Sequence, residues 1–240
     1  MKDRWISFVA LGGIALAFSP LLLAQTAQQP GAAKAQSATP TPDLSGVWVV
    51  RELSDTFDMK VEPPMQPWAE EKFKALSGRE LDPIESCFPY GVPRIFLSRR
   101  PFEIVQNPGR VLILFEQDHW VRQIHMDGRK HPGPEDLFPT WMGHSIGHYD
   151  GDTLVVDTIG RNDKTWLDNV GHPNTDALHV VEHFRRVDQN TLVIDVTIDD
   201  PKAYTKPWSG QKVFQLRSDW EVWEHVECEE RLELTPWTEQ

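Results

Sequence analysis

The stretch GHSIGHYDGDTLVVDT, residues 143–158, reads as two β-strands folded about a tight turn. Residues 143–149 form one arm and residues 153–158 the other. Asp-Gly between two β-prone runs is a strong short hairpin signal. If Asp150 and Gly151 are the turn pair, His148 opposes Thr153, Ile146 opposes Val155, and His144 opposes Asp157. Directly opposed residues share a face with Cβ atoms about 5 Å apart, so this register sets an imidazole against a carboxylate.

The same grammar extends in both directions. Upstream, residues 43–50 alternate as a first strand. Residues 102–106 lead through Asn107-Pro108-Gly109-Arg110 into residues 111–116, and residues 120–126 end at Asp127-Gly128. Downstream, residues 179–187 turn at 188–190 into 192–198, followed by strands at 213–216 and 220–228, with a possible extension at 231–234. The helical pattern is confined to residues 66–76, where Pro67 opens the first turn and Trp68, Phe73 and Leu76 give one modest packing face. Residues 78–101 are broken by Pro83, Pro89, Gly91 and Pro93 and read as loop. The sum is a mainly all-β fold, an antiparallel meander with a short N-terminal helix. Closing such a meander into a barrel removes its exposed edges. Trp48, Trp220 and Trp223 alternate with strand residues and are expected in the core. No glycine-rich loop joins a strand to a helix, which disfavours a nucleotide-binding fold.

Lys2 and Arg4 precede an apolar run over residues 5–24, the pattern of a secretory signal peptide. Pro20 and Gly12-Gly13 weaken a permanent membrane helix, although a retained anchor is the alternative. Residues 25–42 are rich in Ala, Gln, Pro and Thr and predict a disordered tether, leaving residues 43–240 as one domain. The expected location is therefore periplasmic or secreted, without membrane insertion after cleavage. The formal charge of -12 disfavours nucleic acid and anionic membranes as partners and leaves a small-molecule ligand or substrate. Two cysteines, Cys87 and Cys228, suggest a structural disulfide in an oxidising compartment. It would close a loop of about 140 residues, worth about 4–5 kcal/mol by loop entropy.

Gly46-Val47-Trp48 in a first strand resembles the Gly-x-Trp opening of lipocalin-like (calycin) barrels. Longer phrases resemble a large family of secreted bacterial proteins: Cys87-Phe-Pro-Tyr-Gly-Val-Pro-Arg94, Trp141-Met-Gly-His-Ser-Ile-Gly147, Gly151-Asp-Thr-Leu-Val-Val-Asp157 and Asp200-Pro-Lys-Ala-Tyr-Thr-Lys-Pro-Trp208. The resemblance implies secretion and a lipocalin-like β-barrel. It carries no activity, so the chemistry must come from the residues.

Eight of the nine histidines lie between His119 and His183, interspersed with carboxylates and arginines. Imidazoles oriented by acids suit proton transfer near neutral pH. Three groups emerge. In the hairpin, His144 and Asp157 form a candidate acid–base pair, joined by His179 from the following strand. In the turn motif His125-x-Asp127-Gly-Arg129-x-His131, Arg129 beside a His-Asp pair suits an oxyanion; turn chemistry with Arg129 on a nearby acid is the structural alternative. In the loop, Trp166, Asp168 and His172 precede Asp176 and His179. These donors are of types that bind divalent metals, but no His-x-His, HExxH or CxxC spacing supports a metal, and no cofactor is expected. Trp141, Trp166 and Tyr204 lie beside these groups and suit the wall of a small-molecule pocket.

Two functions follow from this reading. One is an enzyme using His144, Asp157 and His179 as acid and base, of lyase, hydratase or isomerase type. The other is a binding protein in which His125, Asp127, Arg129, Trp141, Trp166, Asp168, His172 and Tyr204 hold a ligand. Both predict that His144, Asp157 and His179 share one cavity with Trp141 or Trp166.

Overall fold

Alternation builds the walls. In the strand Thr153–Ile159 the side chains of Leu154, Val156 and Thr158 are buried, whereas Val155 and Asp157 are only half-buried. The strand His179–Asp188 repeats the pattern, with Val180, Glu182 and Phe184 turned inward. The structure, a computed structural model, describes residues 41–76 and 82–225. The signal segment, most of the tether, Cys228 and the possible strand at 231–234 lie outside the described residues.

In chain order the strands are β1 (Gly46–Val50), β2 (Asp58–Met59), β3 (Phe102–Asn107), β4 (Arg110–Phe115), β5 (Val121–His125), β6 (His144–Asp150), β7 (Thr153–Ile159), β8 (His179–Asp188), β9 (Thr191–Asp199) and β10 (Trp208–Leu216), with helix α1 (Pro67–Ala75) between β2 and β3. The sheet runs β1-β3-β4-β5-β6-β7-β8-β9-β10, and β10 pairs back onto β1, giving a closed nine-strand barrel. Short β2 pairs with the start of β10. No helix among the described residues is long and apolar enough to cross a membrane.

Two expectations need correction. The barrel is mixed, because β5 and β6 are parallel, with Ile124 beside Ser145. Asp127-Gly128 opens a long crossover that returns the chain before His144, and parallel neighbours require such a connection. The second correction concerns closure. The last described strand begins at Trp208 and closes the barrel on β1, and residues 217–225 form no strand. Both edges of β10 are already occupied, by β1 and β9, and β1 is also paired with β3. Residues 220–225, the described part of the strand expected at 220–228, pair with no strand, and Trp220 and Trp223 are exposed rather than in the core. Trp48, by contrast, is fully buried; its indole N–H donates to the Leu44 carbonyl at 3.0 Å, and the Arg186 guanidinium lies 5.4 Å from its ring.

The interior is filled. A short 3-10 turn, Arg94–Leu97, inserts Phe96 among Phe102, Phe115, Phe184 and Phe214, at centroid distances of 5.3, 5.3, 5.8 and 6.2 Å. All four contacts are tilted or edge-on, the arrangement favoured by the ring quadrupole. A segment read as loop therefore supplies the centre of the core. Because the inner wall is packed, the outer wall is where half-exposed polar groups can assemble.

Candidate functional site

Hairpin register places the site. Asp150 remains in β6 opposite Thr153, so the turn is Gly151-Asp152, with Gly151 at φ 60°. Asp157 therefore opposes Ile146, and His144 opposes Ile159. This corrects the expected direct pairing of His144 with Asp157. The pairing is displaced by two positions, and side chains alternate with a period of two, so both residues stay on the same outer face. They become diagonal neighbours, typically separated by about 7–8 Å between strands, too far for a direct hydrogen bond.

His131 fills that gap. It comes from the crossover between β5 and β6, and its Nδ1 lies 2.8 Å from Nδ1 of His144 while its Nε2 lies 2.9 Å from Oδ1 of Asp157. The same carboxylate oxygen is 3.0 Å from Nε2 of His179 on β8. One arrangement of protons satisfies all three contacts. His131 and His179 each donate an Nε2 proton to Asp157, and His144 donates its Nδ1 proton to His131. Nε2 of neutral His144 is then a free base. His131 belongs to a motif visible in the sequence, but its role was missed, since a residue in a crossover has no strand register to place it.

His125 extends the group, its ring stacked on that of His144 with centroids 5.2 Å apart. The pKa of His144 is lowered from the ordinary histidine value, first by burial and then by the neighbouring His131, His125 and Arg129. His125 is lowered as well, by burial and by Arg129, with Asp127 opposing. Both imidazoles are thus biased towards the neutral form that accepts a proton. Asp127 and Arg129 form an exposed ion pair at 2.6 Å, and hydrogen bonding to Arg129 pulls the Asp127 carboxyl down to about 2. Arg129 also donates its backbone N–H to Asp127, so this pair is turn chemistry.

The remaining candidates lie apart from this chain of groups. Trp141 packs against Phe88 at 5.6 Å, and Trp166 lies 5.4 Å from the Arg94 guanidinium. Asp168 accepts from the backbone N–H groups of Val170, Gly171 and His172 and from the His172 ring. His172 is buried and stacked on Phe73 of α1 at 4.5 Å. Tyr204 is buried, donates to the Pro173 carbonyl at 2.8 Å, and has its phenol pKa pushed upward by desolvation. Asp176 binds Lys202 at 2.6 Å. Of the four residues considered for a metal, Asp168 and His172 bind each other while Asp176 and His179 engage Lys202 and Asp157, and among the described residues no group of three or more His, Cys, Asp or Glu is arranged to hold a metal ion. Cys87 closes the 3-10 turn Pro83–Ser86 in a left-handed conformation; its expected partner, Cys228, lies outside the described residues.

His144, Asp157 and His179 meet through the contacts of His131 and Asp157, while Trp141 and Trp166 contact Phe88 and Arg94. Three cavities, of about 660, 860 and 710 Å³, are lined by other residues of the described chain. His144, Asp157 and His179 belong to the outer face of the wall, where the packed interior cannot enclose them. The fold and site together define a closed β-barrel carrying a histidine–carboxylate chain on its outside. No known family model matches the sequence, and no curated protein matches it.

Proposed function

We propose that the protein is a secreted or periplasmic β-barrel that moves protons on a small organic molecule, using the outer-wall histidines as acid and base. The observation that carries this reading is the single Asp157 oxygen shared by two imidazoles, one of which continues to a third. A carboxylate fixes the tautomer of an imidazole and stabilises the imidazolium formed when it accepts a proton. Here His144 takes the proton at Nε2, and the charge it gains is shared through its Nδ1 proton with His131 and Asp157. His179, held by the same carboxylate, is the second acid–base group. Those lyase, dehydratase and isomerase reactions that pass through a carbanion or enolate share one step, removal of a proton from the carbon α to a carbonyl or carboxylate, and that step needs only such acid and base groups.

That common step gives a direct test. In D2O, the protein should exchange α-protons of a member of a panel of small carbonyl and carboxylate compounds, followed by proton NMR. His144→Gln should abolish the exchange, and Asp157→Asn should slow it by about 10²-fold or more. Exchange at the buffer rate throughout the panel would exclude the catalytic reading.

A second reading, binding without turnover, is supported by the cavity of about 660 Å³ beside the Arg94–Leu97 turn. Its lining is distinct from the outer-wall group, so the two readings are separable.

A further inference from the structure

We propose that the cavity beside the Arg94–Leu97 turn binds a small zwitterion of amino-acid type, with an ammonium and a carboxylate on one carbon. This rests on the binding reading of that cavity and is independent of the histidine chain. The lining carries Arg94, Arg99 and Arg100 together with Asp55, Asp82 and Glu85. Most of these charges are engaged within the protein. Arg94 donates two hydrogen bonds to Asp82 and one to Asn169 at 2.9 Å, while Arg100 lies 3.6 Å from Glu116. Glu85 has contacts of its own.

Asp55 and Arg99 remain. Among the described residues neither side chain makes an ion pair or hydrogen bond, although the two bear opposite charges and line one cavity. A third unmatched charge lies behind the wall. Lys212 points inward from β10, is 2% exposed, and donates to the hydroxyl of Ser54, a residue that lines the cavity and gives its own proton to the Thr56 carbonyl at 2.6 Å. No carboxylate pairs with Lys212 among the described residues. A buried ammonium without a counter-charge is costly, and an anion arriving in the cavity on the Ser54 side would offset part of that cost through its charge.

These three charges define the occupant. The carboxylate is placed towards the charges of Arg99 and Lys212, and the ammonium towards Asp55. A simple anion would leave Asp55 unanswered, and a simple cation would leave Arg99 and Lys212 unanswered. The volume admits a free amino acid or a dipeptide.

The test is calorimetric titration of the full chain with the common L-amino acids and glycylglycine. The best binder is then compared with its N-acetyl derivative, which lacks the cation, and its carboxamide, which lacks the anion. Each derivative should bind about tenfold or more weakly than the parent, and Asp55→Asn and Arg99→Gln should each cost a similar factor. Both side chains are exposed, so these variants should fold, which circular dichroism checks. Equal binding of either derivative, or binding unaffected in both variants, overturns the zwitterion. An N-acetyl derivative that binds as well as its parent and is lost in Arg99→Gln would overturn the zwitterion and leave the cavity a binding site for a simple anion. Failure of every compound and derivative to bind at millimolar concentration would overturn both the zwitterion and the binding reading.

Discussion

Arg122 of β5 meets Glu182 of β8 inside the barrel, guanidinium to carboxylate, with both side chains closed off from water. Two hydrogen bonds join them, one at 2.9 Å, and Arg122 donates further to Ser145 and Thr158. Removing one partner leaves a buried charge without compensation, whereas removing both leaves none. Glu182→Gln should therefore destabilise the fold by about 3–5 kcal/mol, and the double variant Arg122→Met with Glu182→Leu should recover much of that loss. Urea unfolding measures both. A single variant losing less than about 1 kcal/mol would show that the pair is effectively solvated.

Asp157 makes a second, spectroscopic prediction. Because one of its oxygens serves both His131 and His179, both rings should carry their proton on Nε2. Nitrogen-15 correlation spectra of the histidine rings distinguish the tautomers directly. In Asp157→Asn the signals of His131 and His179 should move together, and those of His144 should follow through the Nδ1 contact. Movement of only one ring would break the shared-acceptor geometry.

Lowered histidine pKa values give stability a defined pH dependence. His125 and His144 titrate below the ordinary value of 6.5 when folded, so the unfolded chain binds protons more readily. Their contribution is complete above 6.5 and falls as pH drops through 6.5 towards the folded values. The melting temperature should decline between about pH 7.5 and 5.5, and decline less in the double variant His125→Gln with His144→Gln. Asp127 does not confuse this window. Its carboxyl, held at about 2, loses its contribution only below the ordinary carboxyl value of 3.8. An identical pH slope in the double variant would refute the assignment.

The β-strands from residue 102 to 198 were legible because alternation and Asp-Gly or Asn-Pro-Gly turns are local signals. Barrel closure was legible in kind, but its mixed character depends on where the chain after Gly128 returns, and no local pattern encodes that. The pairing of His144 failed through one turn residue, since Asp150 suits both a turn and a strand end. Its face survived because an error of two positions preserves the side-chain period. Phe96 shows the opposite limit. Its neighbours Pro93 and Ser98 suggest irregular chain, and only packing against β3, β4, β8 and β10 together makes it the centre of the core. The unpaired charges of Asp55 and Arg99 were likewise invisible, because a missing partner is a property of three-dimensional neighbours.

Two glycines separate backbone strain from crowding at the entrance to β6. Gly109 and Gly143 both have left-handed φ values, 80° and 68°. A Cβ on Gly109 meets nothing within 4 Å, so Gly109→Ala incurs only conformational strain, about 1 kcal/mol. A Cβ on Gly143 would lie 2.7 Å from the Ile159 carbonyl oxygen and 2.8 Å from Cγ2 of Thr158. The first contact is backbone on the paired strand β7, which cannot rotate away, so β6 itself must shift. Gly143→Ala should therefore cost about 1–3 kcal/mol more than Gly109→Ala in chemical unfolding. Because His144 is the next residue, the shift should also disturb its 2.8 Å contact with His131, which the ring spectra would register. Equal destabilisation by the two alanines, with unchanged His144 signals, would show that the β6–β7 pairing has slack at this end and that the histidine chain does not depend on it.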